Sequence, residues 1–109
     1  MEIVRTRQFV KDLRRIGMTE VEQARLEDEI KSRPGAGDLI QGLRGIRKIR
    51  FSLQGRGKSG GGRAIYWVVT ADVGGLVVLL TAYSKSEQTD LRPDQRKRLL
   101  QAIEEWDRD

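Results

Sequence analysis

The segment Leu76-Val77-Val78-Leu79-Leu80-Thr81-Ala82-Tyr83 is the tightest constraint on what this chain can become. Its side chains are apolar on both parities, so a strand formed here has no face suited to water. It must lie inside a sheet that is covered on both sides. A chain of 109 residues then has room for one core, one sheet and a few helices.

The rest of the sequence supplies those parts. Lys48 to Leu53 alternates, with Ile49, Phe51 and Leu53 on one face and Lys48, Arg50 and Ser52 on the other; that is a strand with a basic side. Arg63 to Thr70 reads as another strand, and Glu2 to Arg5 is short and β-compatible. Thr6 is placed to cap a helix whose apolar residues Phe9, Val10, Leu13 and Ile16 recur at helical spacing until Gly17. Thr19 and Glu22 make a capping box for a second helix carrying Val21, Ala24, Leu26 and Ile30, which stops before Pro34. Pro93 suits the first turn of a closing helix with Leu99, Ile103 and Trp106 on one stripe. Pro34 to Asp38 is expected as a loop and Ala71 to Gly75 as a turn. The expected architecture is a single α+β domain over residues 1–109, in the order β-α-α-β-β-β-α. A small antiparallel sheet, its last three strands a meander, is covered by an N-terminal helical hairpin and a C-terminal helix.

Charge is distributed unevenly along this framework. The formal net charge is +5. Met1 to Arg33 contributes +1, Pro34 to Thr70 contributes +6, and Ala71 to Asp109 contributes −2. Between Arg44 and Arg63 no acidic residue interrupts seven basic ones. On a strand, a loop and the start of the next strand, these would converge on one sheet edge and attract phosphate. The same run also reads as a solvated basic face.

Composition closes several routes. The absence of cysteine excludes disulfides and thiolate chemistry, and the absence of histidine removes the usual general base and metal ligand. Only a carboxylate site for a hard cation would remain, so no cofactor is expected. No run approaches the length of a membrane span, and a soluble, cytoplasmic chain is expected. The glycine-rich Gly55 to Gly62, with Arg56 and Lys58, is unsuited to a nucleotide-phosphate loop because Arg63-Ala64-Ile65-Tyr66-Trp67-Val68 continues as a strand, not a helix. A basic hairpin loop touching an RNA backbone fits it better.

Several segments, in order, resemble one family. Gly37-Asp38-Leu39-Ile40-Gln41-Gly42, Leu43 to Arg50, and the Gly/Lys loop running into Gly62-Arg63-Ala64-Ile65-Tyr66 are similar to the HigB-type branch of the RelE superfamily of toxins. Leu79 to Glu87, Asp90-Leu91 and the helix from Gln95 to Trp106 continue the likeness. The resemblance implies a small α+β toxin that cleaves mRNA in the ribosomal A site without a metal. It also implies a cognate antitoxin as partner, HigA-like with a helix-turn-helix, through which alone operator DNA would be bound.

Carried over by position, the resemblance makes Lys48 and Arg50 the basic pair of the second strand. Arg63 becomes the arginine that begins the third, and Lys85 the lysine after the fourth. Ser86 stands where better-known members have another arginine, and no tyrosine follows in the last helix. Tyr83 is the candidate substitute, with closure of the core as its other role. Arg47, Arg56, Lys58 and Tyr66 are the candidate RNA contacts. In the implied mechanism the ribose 2′ hydroxyl attacks, Arg50 and Arg63 clamp the phosphate, and Lys48 or Lys85 takes the proton. Two alternatives stay open: a ParE-like gyrase inhibitor that cuts no RNA, and a non-catalytic RNA-binding module.

Overall fold

The computed structural model describes residues 1–53, 61–69 and 74–108. Residues 54–60, with Arg56 and Lys58, lie outside the described residues, as does most of the expected turn after Thr70. Five strands, β1 (Glu2–Arg5), β2 (Asp38–Leu39), β3 (Ile46–Phe51), β4 (Gly62–Val69) and β5 (Leu76–Ser84), form one sheet in the order β1-β5-β4-β3-β2. Among the described residues the helices are α1 (Arg7–Ile16), α2 (Glu20–Ser32) and α3 (Pro93–Arg108).

The caps read from the sequence are present. The Thr6 side chain accepts from the Phe9 amide, and Thr19 and Glu22 satisfy each other's backbone in a capping box. Gly17 ends α1 at φ 79°, a left-handed conformation that a side chain would strain. The β3-β4-β5 meander is antiparallel, as expected, whereas β1 pairs parallel with β5 from Glu2↔Leu76 to Arg5↔Leu79. One other departure is β2, a two-residue strand at Asp38 and Leu39, within and just beyond the expected loop. It pairs with Lys48 and Arg47.

Both faces of β5 are covered. The hairpin face holds Phe9, Leu13, Leu26 and Ile30 against Ile49, Phe51, Ala64, Tyr66, Val77, Leu79 and Ala82. The opposite face holds Leu91, Leu99 and Ile103 against Ile46, Ile65, Val78, Leu80 and Tyr83. In α2 the buried residues are Leu26, Glu27 and Ile30, while Val21 of the expected stripe is 61% exposed. Trp106, expected in the stripe of α3, is half-exposed and meets Trp67 edge to face at 6.0 Å.

A β-bulge interrupts the β4-β5 ladder. Ile65 pairs with Thr81 and Tyr66 with Leu79, which leaves Leu80 as the extra residue. Strict alternation would put Tyr83 on the face of Leu79. The bulge resets the parity, and Tyr83 joins the α3 face instead.

Candidate functional site

Strand register lines up three of the residues chosen from sequence. Arg50 of β3 pairs with Arg63 of β4, and Arg63 pairs with Tyr83 of β5. Directly opposed residues project from the same face, with neighbouring strands about 4.8 Å apart. This face is the one α3 covers, because Ile65 and Tyr83 belong to its cluster. Lys48, two residues before Arg50, shares the parity. Lys85, just past β5, extends the ladder by donating its amide to the Gly61 carbonyl at 2.9 Å.

The members of this row differ in exposure. Arg50 is exposed, and Lys48 and Lys85 are half-buried. Arg63 is buried, with Nη1 donating to the Gly62 carbonyl at 2.9 Å. Gly62 itself has no room for a side chain: a Cβ would fall 2.4 Å from Phe51 Cζ and 2.5 Å from the Tyr83 carbonyl oxygen. The glycine therefore lets β4 enter the sheet close enough to place Arg63 beside Tyr83.

Tyr83 is fully buried, and its hydroxyl has no hydrogen-bond partner among the described residues. Burial pushes its pKa up, the Asp90 carboxylate adds to the rise, Arg63 opposes it, and the result is about 12. At neutral pH this phenol keeps its proton and can donate but not accept one.

Beside Lys48 lies a cleft of about 420 Å³ lined by Asp38, Leu39, Ile40, Gln41, Lys48, Asp90 and Arg96. Lys48 Nζ is 3.8 Å from Asp90 Oδ1, and Arg96 donates to the Gln41 carbonyl at 2.7 Å. Asp90 and Arg96 were not among the residues picked from sequence. Asp90 carried a faint signal, as the polar residue ahead of the apolar Leu91 just before Pro93.

Two expected RNA contacts are corrected. Tyr66 is fully buried on the hairpin face, where its hydroxyl accepts from the Gly37 amide and donates to the Pro34 carbonyl, both at 2.8 Å. No ring face is left for a base. Arg47 pairs with Tyr66 in the ladder, shares its face, and donates to the Gly37 carbonyl at 2.7 Å. Both residues pin the 34–37 turn to the sheet. Arg56 and Lys58 lie outside the described residues.

A larger cleft, about 490 Å³, opens at the outer edge of β5 between α1 and α3. Its polar groups already serve the strand. The buried Asp12 carboxylate accepts from the Ala82 amide at 3.0 Å and from the Thr81 hydroxyl. Arg15 donates to the Ala82 carbonyl at 3.1 Å, and Glu87 accepts from the Ser84 amide at 3.0 Å. Arg15 also bridges Asp12 and Glu87. These side chains stand in for the strand that β1 is too short to provide, which closes an otherwise open sheet edge.

The described residues thus define a small α+β domain whose β3-β4-β5 meander carries a cationic row and a buried phenol on the face under α3. The α+β fold, taken apart from those side chains, is shared with bacterial toxins of solved structure. A YoeB/ParE toxin from Agrobacterium tumefaciens superposes with a TM-score of 0.57 at 17% identity, over 77% of this chain and 98% of that one. A mutant of the E. coli toxin RelE in the free state superposes at 0.52 and 18% identity, over 80% of this chain and 85% of that one. No protein-family model matches the chain. The α+β fold is therefore the RelE-like fold.

Proposed function

We propose that the chain is the toxin of a toxin-antitoxin pair and a metal-independent endoribonuclease that cleaves mRNA on the ribosome. The observation that carries this reading is the in-register row Arg50, Arg63 and Tyr83, with Lys48 beside it and Lys85 following. RNA brings its own nucleophile, so the protein's tasks are to hold the phosphate, stabilise the charge that grows on it and move protons. Arg50 and Arg63 suit the first two, because a guanidinium offers paired donors to phosphate oxygens. Tyr83, held as the neutral phenol, suits hydrogen-bond donation to the phosphate or the departing 5′ oxygen only once binding uncovers its hydroxyl, since in the free chain it is as deeply buried as Tyr66. Proton uptake from the 2′ hydroxyl needs a neutral amine and falls to Lys85, because Lys48 faces the Asp90 carboxylate as its ammonium.

The likeness to RelE supports ribosome-dependent cleavage, and the likeness to a YoeB/ParE toxin keeps gyrase inhibition as the rival. A protein that blocks gyrase by contact has no use for cations aligned in one row beside a phenol that is unpartnered among the described residues. The partner of this reading is a cognate antitoxin, HigA-like on the sequence resemblance.

The test is a translating extract with primer-extension mapping of mRNA ends, run beside a gyrase supercoiling assay. Wild-type chain should generate new mRNA ends only on translated message and leave supercoiling untouched. Arg50→Ala should lose the cleavage by about a hundredfold or more, the effect expected when one phosphate-holding donor is removed. Inhibition of supercoiling without mRNA cleavage would replace the reading with the rival.

A further inference from the structure

Asp90 brings a carboxylate to Lys48, a member of the cationic row. It comes from the segment between β5 and α3, whereas the basic stretch from Arg44 to Arg63 has no acidic residue of its own. The carboxylate is aimed. Leu91 is buried in the same cluster as Tyr83 and anchors the segment to the sheet face. The Leu91 amide donates to Asp90 Oδ1 at 2.8 Å, and Gln88 Nε2 donates to the Asp90 carbonyl at 2.9 Å. Held this way, the carboxylate faces Lys48 at 3.8 Å, and its charge also reaches the Tyr83 hydroxyl.

The pair is nevertheless weak. Its separation is an ångström beyond a strong charge-assisted hydrogen bond. The side chains are 32% and 66% exposed, so water screens them. A weak pair at a site built for phosphate is one that a phosphate can replace.

We propose that Asp90 is a positioning residue for Lys48: an internal anion that holds the lysine over the site when RNA is absent and yields it to an RNA phosphate on binding. This rests on the nuclease reading of the same face. The carboxylate occupies Lys48 in the way a phosphate oxygen would, at the cleft the two residues line together. It also sets a threshold, because RNA must displace it. A polyanion with phosphates in register does so readily, and an isolated anion does so poorly.

The experiment measures binding of a fluorescent, 2′-O-methylated single-stranded oligoribonucleotide to the purified full chain across a salt series. Asp90→Asn removes the charge while its side-chain oxygen still accepts from the Leu91 amide, so the fold is kept. Asp94→Asn removes the same charge from an exposed position on α3, where it pairs with Arg92 and Arg98, and so controls for loss of charge and release of cations away from Lys48. Lys48→Ala and the double variant Asp90→Asn with Lys48→Ala complete a cycle. The expected result is an affinity gain of about two- to fivefold for Asp90→Asn, the range an exposed pair allows. It should come with a steeper salt dependence, exceed the gain for Asp94→Asn, and vanish in the Lys48→Ala background. An equal gain for both aspartates, or a gain that survives loss of Lys48, would overturn the proposal while leaving the nuclease reading intact. Lys48→Ala and Arg50→Ala chains that bind RNA as tightly as wild type would instead bring down the nuclease reading, and this proposal with it.

Discussion

Burying a phenol hydroxyl without a partner costs about 1–3 kcal/mol, so a fold keeps one only where something else repays it. Among the described residues Tyr83 meets that description, and the consequence separates its two candidate roles. If its hydroxyl serves RNA, Tyr83→Phe should leave the free chain as stable as wild type or up to about 1 kcal/mol more stable, while mRNA cleavage falls. Thermal unfolding and mRNA-end mapping on the same preparation check both halves. A variant with full cleavage would make the residue core alone. Arg50 and Arg63 divide in a similar way. Arg50 is exposed, and Arg50→Ala should shift stability by less than about 0.5 kcal/mol while abolishing activity. Arg63→Ala removes a buried donor from the Gly62 carbonyl and should lose both activity and about 1–3 kcal/mol, measured by denaturant unfolding. Burial of the guanidinium is why its loss reaches stability as well as activity.

At the scale of elements, the free half of β5 is the weak point that side chains repair. Asp12 replaces a missing strand for Ala82 and Thr81, and Asp12→Ala should cost about 2–4 kcal/mol, because it strips buried donors of their acceptor. Urea unfolding gives the number, and light scattering on the variant should show association through the bared edge. Gly62→Ala should be equally damaging at the opposite end of the row, since the added carbon overlaps Phe51 and the β5 backbone. None of this edge repair was visible in sequence, where Asp12 and Arg15 are ordinary polar positions of an amphipathic helix.

Across the whole molecule, three carboxylates tie the hairpin to the sheet: Glu27 to Arg5 of β1, Asp12 to Thr81 and Ala82 of β5, and Glu87, just after β5, to Arg15. Burial pushes Asp12 up, but bonds from Thr81, Arg15, the Ala82 amide and Gln8 outweigh it and hold it below the ordinary carboxylate range. Glu27 is likewise raised by burial and brought down further by Arg5 and Gln23, and Glu87 is lowered chiefly by Arg15. Each folded-state value is depressed, so each contribution is complete above the ordinary range and is lost as pH falls through the folded value. Stability should therefore be level near neutrality and fall below about pH 4. Asp12→Asn should flatten that fall while lowering stability at pH 7, as a pH series of thermal melts would show.

Local chemistry determined much of this protein from sequence alone. The caps at Thr6 and Thr19, the break at Gly17, the alternation of Lys48 to Leu53 and the doubly apolar β5 depend on residues close in the chain, and all are present as read. The choice of Lys48, Arg50 and Arg63 came from the same alternation together with the family resemblance. Tertiary structure alone decided the rest. The bulge at Leu80 turned Tyr83 from the hairpin face to the side of Arg63, and sheet register set Arg50, Arg63 and Tyr83 in one line. The same packing turned Tyr66 and Arg47 away from that face and brought Asp90 onto Lys48. Each of these depends on which residues oppose one another across strands distant in sequence, and one inserted residue in a ladder exchanges the faces of everything beyond it.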